Sequence, residues 1–323
     1  MPIPTRWWAP ERKLTKGKYL VAALALILVV FVGRNRSSLH EGLSYLRQML
    51  AWDPDDVRPV DPVGPFGVCH DLVRPTNAVR QDIIVRCLRD LKLNPILIPV
   101  PDEPTSNVLA LLHDSGPYIL FVAHYDKSRE TAAYQAASDN TAAVCALLAA
   151  ARDLADSQPR RPVAILFTSG EERGLKGARR FMSWADAEGL NIGEVINFDM
   201  IGRGKLASRP SALPGFYFWL PGLGEMVFDG RRIRHGQAYP LPDPHLISHL
   251  KAVLGDELVI YQRFTARSDS NVFQAAGIPT VSLSSDNMYY LDLVWERDAD
   301  RLELLDERNL DLARRLVVEY ARP

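Results

Sequence analysis

The chain has 323 residues, with 38 Lys or Arg against 39 Asp or Glu and a formal net charge of −1. That balance argues against a nucleic-acid-binding domain, which carries a clear basic excess. A composition of 47% hydrophobic and 24% charged residues excludes a chain that is disordered or of low complexity throughout. By length the expectation is one large domain or two small ones. Cys69, Cys87 and Cys145 are too few and too scattered for a disulfide scaffold or a Cys-rich zinc module. One pair can still bridge, leaving one thiol over.

The charge is unevenly spread. Residues 1–44 hold seven basic and two acidic side chains, a net of +5, so the remainder carries −6. Within that basic end, Tyr19–Gly33 (YLVAALALILVVFVG) contains no charge and is flanked by Lys16, Lys18, Arg34 and Arg36. It is shorter than the roughly 20 residues of a full span, but lysine side chains can snorkel and lengthen it. Phe31–Gly33 fits a signal-peptidase site badly, so an uncleaved signal anchor is expected. Arg6, Arg12, Lys13, Lys16 and Lys18 precede it, whereas Arg34, Arg36 and Arg47 follow, which favours a cytoplasmic N-terminus. The expected organisation is a basic cytoplasmic tail over 1–18, a transmembrane helix in the lipid bilayer over 19–33, a tether over 34–66 and a folded domain over 67–323. That places the domain outside the cytoplasm, on a bacterial periplasmic or extracellular face. The tether ends in DPDDVRPVDPVGPFG, a composition that resists regular structure.

From Thr76 the pattern becomes regular. Thr76 can cap a helix whose apolar positions Val79, Ile83, Ile84, Cys87, Leu88 and Leu91 recur at helical spacing. Apolar runs of strand length follow at 96–100, 108–112, 118–123, 163–168, 195–198 and 280–283. Helical stretches are expected at 141–155, 175–187 and 244–254. Unbroken apolar strands alternating with helices imply a sheet buried on both faces, an α/β architecture. Residues 203–263, rich in Pro, Gly and aromatics, fit no clean alternation and read as a loop-rich excursion.

Polar residues interrupt this pattern just after the apolar runs. YILFVA delivers His124 and Asp126, PVAILFTS delivers Glu171 and Glu172, VINF delivers Asp199, and Asp139 opens the stretch NTAAVCALLAAA. In open α/β sheets the carboxyl edge of the strands is where ligands bind. Several carboxylates and an imidazole gathered there would repel and desolvate one another unless a cation compensated them. Each piece alone is weak: an Asp before a helix is commonly an N-cap and Glu-Glu before a helix a solvated first turn. Their ordered recurrence is the signal. No G-x-S-x-G or G-x-x-x-x-G-K-[ST] occurs, and HEGLS at His40 lacks the second histidine of H-E-x-x-H.

The stretches FVAHYD (121–126), ASDNTAAV (137–144), TSGEERGLKGARRF (168–181), VINFDMIGR (195–203) and SDSNVFQAAGIPTVSL (268–283) together resemble the co-catalytic dizinc aminopeptidases of metallopeptidase family twenty-eight, whose relatives include glutaminyl cyclases. The resemblance implies a three-layer α/β/α sandwich with a mixed, mainly parallel sheet. It implies two divalent ions, zinc or alternatively manganese or cobalt. It also implies hydrolysis of N-terminal residues from peptides with a free N-terminus, by a metal-activated water. Carried over, His124 and Asp199 resemble ligands of one metal, Asp139 the bridging carboxylate and Glu172 a ligand of the other. Asp126 resembles the group that orients His124, and Glu171 the general base. The family's last ligand is a histidine in a stretch matching 295–306, and no histidine follows His249 here. Aligning Asp300 with the family aspartate puts Glu296 at that place. Glu296 is then a carboxylate ligand, which zinc accepts; otherwise the domain is a one-metal enzyme or an inactive peptide-binding module. A glutaminyl cyclase-like acyltransferase is the further alternative.

Overall fold

The computed structural model describes residues 27–322 apart from 75, 158, 211–214, 229–231 and 237–239. The strands in chain order are β1 (Ile96–Pro99), β2 (Ser106–Leu111), β3 (Tyr118–His124), β4 (Val163–Thr168), β5 (Ile192–Phe198), β6 (Leu206–Arg209), β7 (Gly215–Leu220), β8 (Gly224–Phe228), β9 (Ile233–His235), β10 (Leu258–Ile260), β11 (Phe264–Thr265) and β12 (Thr280–Ser285). The helices are α1 (Arg36–Leu50), α2 (Cys69–Leu72), α3 (Asn77–Asp90), α4 (Ala142–Ser157), α5 (Lys176–Ala187), α6 (Pro244–Leu254), α7 (Ser270–Ala275), α8 (Met288–Val294) and α9 (Glu307–Tyr320).

Eight strands form one mixed sheet in the order β1-β2-β4-β3-β5-β12-β6-β10. The pairs β4-β3, β3-β5, β5-β12 and β6-β10 are parallel. Alternate residues leave a strand on opposite faces, and the packing follows that rule. Ile119, Phe121 and Ala123 of β3 join a core with α3, α4, α6 and α9, whereas Leu120 and Val122 join a second core with Phe181 of α5 and Phe273 of α7. Both faces are covered, which is why these strands lack polar alternation. Thr76 caps α3 by accepting from the Val79 N–H. Cys69 in α2 and Cys145 in α4 are disulfide-bonded, and Cys87 is the free thiol.

Two expectations are corrected. The 203–263 excursion holds β6 to β10 and α6. With β11, strands β7, β8 and β9 form a separate antiparallel sheet in the order β11-β7-β8-β9. Its aromatics are packing groups: Tyr217 is buried, and Arg34 stacks over Trp219.

The second correction concerns the anchor. Of the expected span over 19–33, residues 19–26 lie outside the described residues. Residues 27–34 are helical and lead through Asn35 into α1. Among the described residues no helix is long and apolar enough to cross a membrane, so a single-pass membrane placement is not supported. The apolar run gives way to polar groups bonded to the domain itself. Asn35 accepts from the Trp219 N–H at 2.6 Å and donates to the Trp219 carbonyl at 2.8 Å. Ser38 donates to the Tyr217 carbonyl at 2.8 Å. Glu41 accepts from the backbone N–H groups of Gln262, Arg263 and Phe264 at 2.7–3.1 Å.

Candidate metal centre

The adjacent parallel strands β4, β3 and β5 end at one edge, with His124 in register with Thr168. The turns beyond them carry the polar residues singled out in the sequence. His124 is buried, its Nε2 lying 3.1 Å from Asp139 Oδ1 and 3.7 Å from Asp199 Oδ1. One donor atom from each of His124, Asp139 and Asp199 lies within 4.8 Å of the others. On its far side, His124 Nδ1 is 3.6 Å from Asp126 Oδ1 and 3.2 Å from the Asp126 carbonyl. A ring held from one nitrogen in this way presents the other to a ligand.

Asp126 has a second task. Its Oδ1 accepts from the Glu171 N–H at 3.1 Å and its Oδ2 from the Glu172 N–H at 3.2 Å. One buried carboxylate therefore aligns the imidazole and pins the turn that bears both glutamates. Asp139 is fixed just as firmly, in a kinked turn (Ala137–Thr141) where its own φ and ψ are −112° and 79°. The Ser138 and Asp139 N–H groups donate to the two oxygens of buried Asp300 at 2.7 and 3.0 Å. Asn140 donates to the Phe198 carbonyl at 2.9 Å and accepts from the Met200 N–H at 3.2 Å, locking this turn to the end of β5.

Glu296 is not brought into this group. α8 ends at buried Val294, the chain turns outward, and Glu296 takes a left-handed φ of 51° with its side chain exposed. Its carbonyl accepts from Arg129 at 3.0 Å. Tyr290 is buried and stacked on Trp52, while Tyr289 meets Trp52 and Tyr45 edge-on.

The electrostatics show what the cluster lacks. Burial raises the Glu171 pKa well above the carboxylate range, helped by Asp199, Asp269 and Glu172 and opposed by His124. Burial and Asp139 push Glu172 to about 9. Burial likewise raises Asp139 and brings Asp269 to about 7. Burial works against protonation of His124, but Asp126, Asp139 and Asp199 reverse that and raise its pKa well above the ordinary value. Among the described residues, buried Glu172 Oε1 and Asp269 Oδ1 have no hydrogen-bond partner. Crowded carboxylates with open lone pairs and one imidazole are a site short of positive charge, which a divalent cation would supply. One nitrogen with several oxygens suits zinc, and the oxygen-rich side also suits manganese.

Three residues of this neighbourhood carried no clear signal in the sequence. Asp269 stands where an N-cap is expected but caps nothing; it accepts from Thr168 Oγ1 at 2.5 Å. Arg80 is fully buried and donates to the Tyr125 and Leu72 carbonyls and to Thr141. Tyr134 is buried, with the Arg129 guanidinium 4.5 Å from the centre of its ring. An arginine inside an amphipathic helix and a tyrosine in a polar loop are commonplace, so only the fold reveals them.

Sheet topology and site together define an α/β protein with a cluster of His124, Asp139 and Asp199 at the carboxyl edge of its parallel strands that could hold a metal ion. Residues 107–321 match the model of peptidase family M28, and the chain belongs to that family. Two curated relatives, both named probable zinc metalloprotease, come from Pyrenophora teres f. teres (strain 0-1) and Pyrenophora tritici-repentis (strain Pt-1C-BFP). Each is 30% identical over 115 residues, which is 34% of this chain but only 25% and 26% of the relatives' own lengths. Among solved structures, the Legionella pneumophila LapA aminopeptidase superposes with a TM-score of 0.58 at 14% identity, covering 99% of this chain and 76% of that one. A leucine aminopeptidase precursor from Bacteroides thetaiotaomicron VPI-5482 gives 0.59 at 16% identity, covering 82% and 97%. A Porphyromonas gingivalis glutaminyl cyclase gives 0.57 at 17%, covering 81% and 97%. At such identities the likeness is one of fold alone.

Proposed function

We propose that this protein is a metal-dependent aminopeptidase that removes N-terminal residues from peptides. The observation that carries this reading is the convergence of His124, Asp139 and Asp199 within 4.8 Å, beside a turn whose two glutamates are pinned by Asp126. His124, Asp139 and Asp199 would hold one ion, and Asp139 with Glu172 a second, with zinc favoured and manganese or cobalt as substitutes. Bound there, divalent ions acidify a water and polarise the scissile carbonyl.

The remaining work falls to the chain. Asp126 keeps the His124 ring oriented and holds Glu171 and Glu172 at fixed positions. Glu171, its proton affinity raised by burial and by its acidic neighbours, is suited to take a proton from the attacking water and pass it to the leaving amine. A carboxylate-rich edge also attracts the ammonium group of a free N-terminus, which favours exopeptidase action over internal cleavage.

The test is Glu171→Gln in the full chain loaded with zinc. Release of the N-terminal amino acid should fall by at least about a hundredfold, the usual scale for a lost general base, while bound zinc is unchanged. Unaltered turnover in the variant overturns the assignment of Glu171. Loss of the substrate amine without chain shortening in the wild type identifies a glutaminyl cyclase instead.

A further inference from the structure

Two histidines meet on α6, away from the carboxyl edge. His245 and His249 have their ring centres 5.2 Å apart, with the planes at 61°. A spacing of four puts both on one face of the helix, one turn apart. The helix that carries them is well fixed. Asp243 caps its start, accepting from the His245 N–H at 2.8 Å and the Leu246 N–H at 3.1 Å. Leu246, Leu250 and Leu254 bury an adjoining face, which leaves both imidazoles exposed to solvent.

Other histidine rings of the domain are already committed. His70 Nε2 lies 3.0 Å from the Val60 carbonyl and His113 Nε2 lies 2.6 Å from the Pro159 carbonyl, and His124 belongs to the carboxyl-edge cluster. The α6 rings touch each other instead, and His249 also stands edge-on to buried Tyr320 at 6.2 Å, which steadies its ring. Among the described residues neither ring of the pair has a hydrogen-bond or ion-pair partner. Two imidazoles at this helical spacing are the nitrogen pair by which an H-x-x-x-H turn holds a metal.

We infer that His245 and His249 form a peripheral metal site, a surface pair of imidazoles that chelates a late first-row divalent ion, copper(II) ahead of nickel(II) or zinc. The general order of affinities for nitrogen ligands sets that preference, and no carboxylate on the pair draws it toward harder ions. The carboxyl-edge cluster, rich in oxygen, has the opposite bias. Two protein nitrogens leave the other positions of the ion open to water or to a donor from another molecule. The site is independent of how many ions the carboxyl edge holds, and metal counts taken in excess metal include an ion that plays no part in hydrolysis.

The experiment compares the full-length wild type, His245→Gln and His249→Gln, each loaded with zinc and freed of the excess. Copper(II) is then added stepwise. Bound copper and zinc are counted by elemental mass spectrometry, and the copper environment is read by electron paramagnetic resonance. Both side chains are exposed, so the variants should fold as the wild type does, which a thermal melt checks. The wild type should take up one copper(II) ion more than either variant, with coupling to two imidazole nitrogens, while zinc content is the same in all three. Copper that displaces zinc at the carboxyl edge does so equally in every chain, so the difference between chains reads the α6 pair alone. Equal copper uptake by all three chains, loss of the ion in only one variant, or coupling to a single imidazole in the wild type overturns the inference.

Discussion

Glu41 is buried and Glu172 half-buried with one oxygen enclosed, and the contrast between their surroundings separates structure from chemistry. Glu41, on α1, has its lone pairs taken up by three consecutive backbone N–H groups at residues 262–264. Burial raises its pKa, but those donors and nearby Arg209 work in the opposite direction. Glu172, at the strand edge, has one oxygen with no partner and acidic neighbours that add to the effect of burial. A buried carboxylate whose donors come from the fold is a fastening. One left open among like charges is poised for a cation, and the fold bears the cost of that opening.

The largest expected effect lies at the open edge. Asp126→Asn removes half of the acceptor pair that pins Glu171 and Glu172 and weakens the orientation of His124. Zinc affinity should fall by about 10–100-fold, the scale seen when the residue supporting a metal-bound histidine is lost, with hydrolysis falling alongside. Calorimetric titration reads this, and unchanged affinity would erase the distinction drawn for Asp126. At the fastened site, Glu41→Ala should cost about 1–3 kcal/mol of stability, as expected when buried donors lose their acceptor. Zinc affinity of the folded fraction should stay the same. Denaturant unfolding with a parallel zinc titration separates the two.

The same contrast predicts a pH dependence. In the metal-free chain Asp269 and Glu172, with pKa values pushed to about 7 and about 9, keep protons that an unfolded chain would already have released. Stability without metal should therefore decline as pH rises from the ordinary carboxylate range through this window. Zinc removes that decline and displaces protons as it binds. Melting curves between pH 5 and 9, with and without zinc, would show two traces diverging as pH rises; parallel traces would count against a charge-starved site. The smallest effect is at Glu296. Glycine adopts its left-handed φ of 51° without strain, so Glu296→Gly should leave zinc binding unchanged. Stability should hold or rise by up to about 1 kcal/mol, since relief of the roughly 1–2 kcal/mol cost of an L-residue in the left-handed region is partly offset by the backbone entropy glycine loses on folding.

How much of this was legible in the sequence depended on periodicity. The main strands and the capped helix from Thr76 were visible because both faces of the sheet are covered, leaving unbroken apolar runs. His124, Asp139 and Asp199 stood out because each breaks the pattern just past such a run, and the fold brings those positions together. The docking of α1 was hidden, since Asn35, Ser38 and Glu41 look like the polar face of a solvated helix and their partners lie some two hundred residues away. The small sheet was hidden for a related reason: its short strands are half-buried, and their Pro, Gly and aromatic content reads as loop. Asp269 occupies an ordinary cap position, and only three-dimensional closure shows that one of its oxygens has no partner among the described residues.

The central claim is that this edge is a metal-dependent peptidase site that acts on a free N-terminus. The most direct measurement incubates the zinc-loaded full chain with one peptide in two forms, amine-free and N-acetylated, and follows the products by mass spectrometry. Stepwise loss of N-terminal residues from the free form, with the acetylated form intact, is the result expected. Internal cleavage of the acetylated peptide, or no cleavage of either form with metal bound, would contradict it.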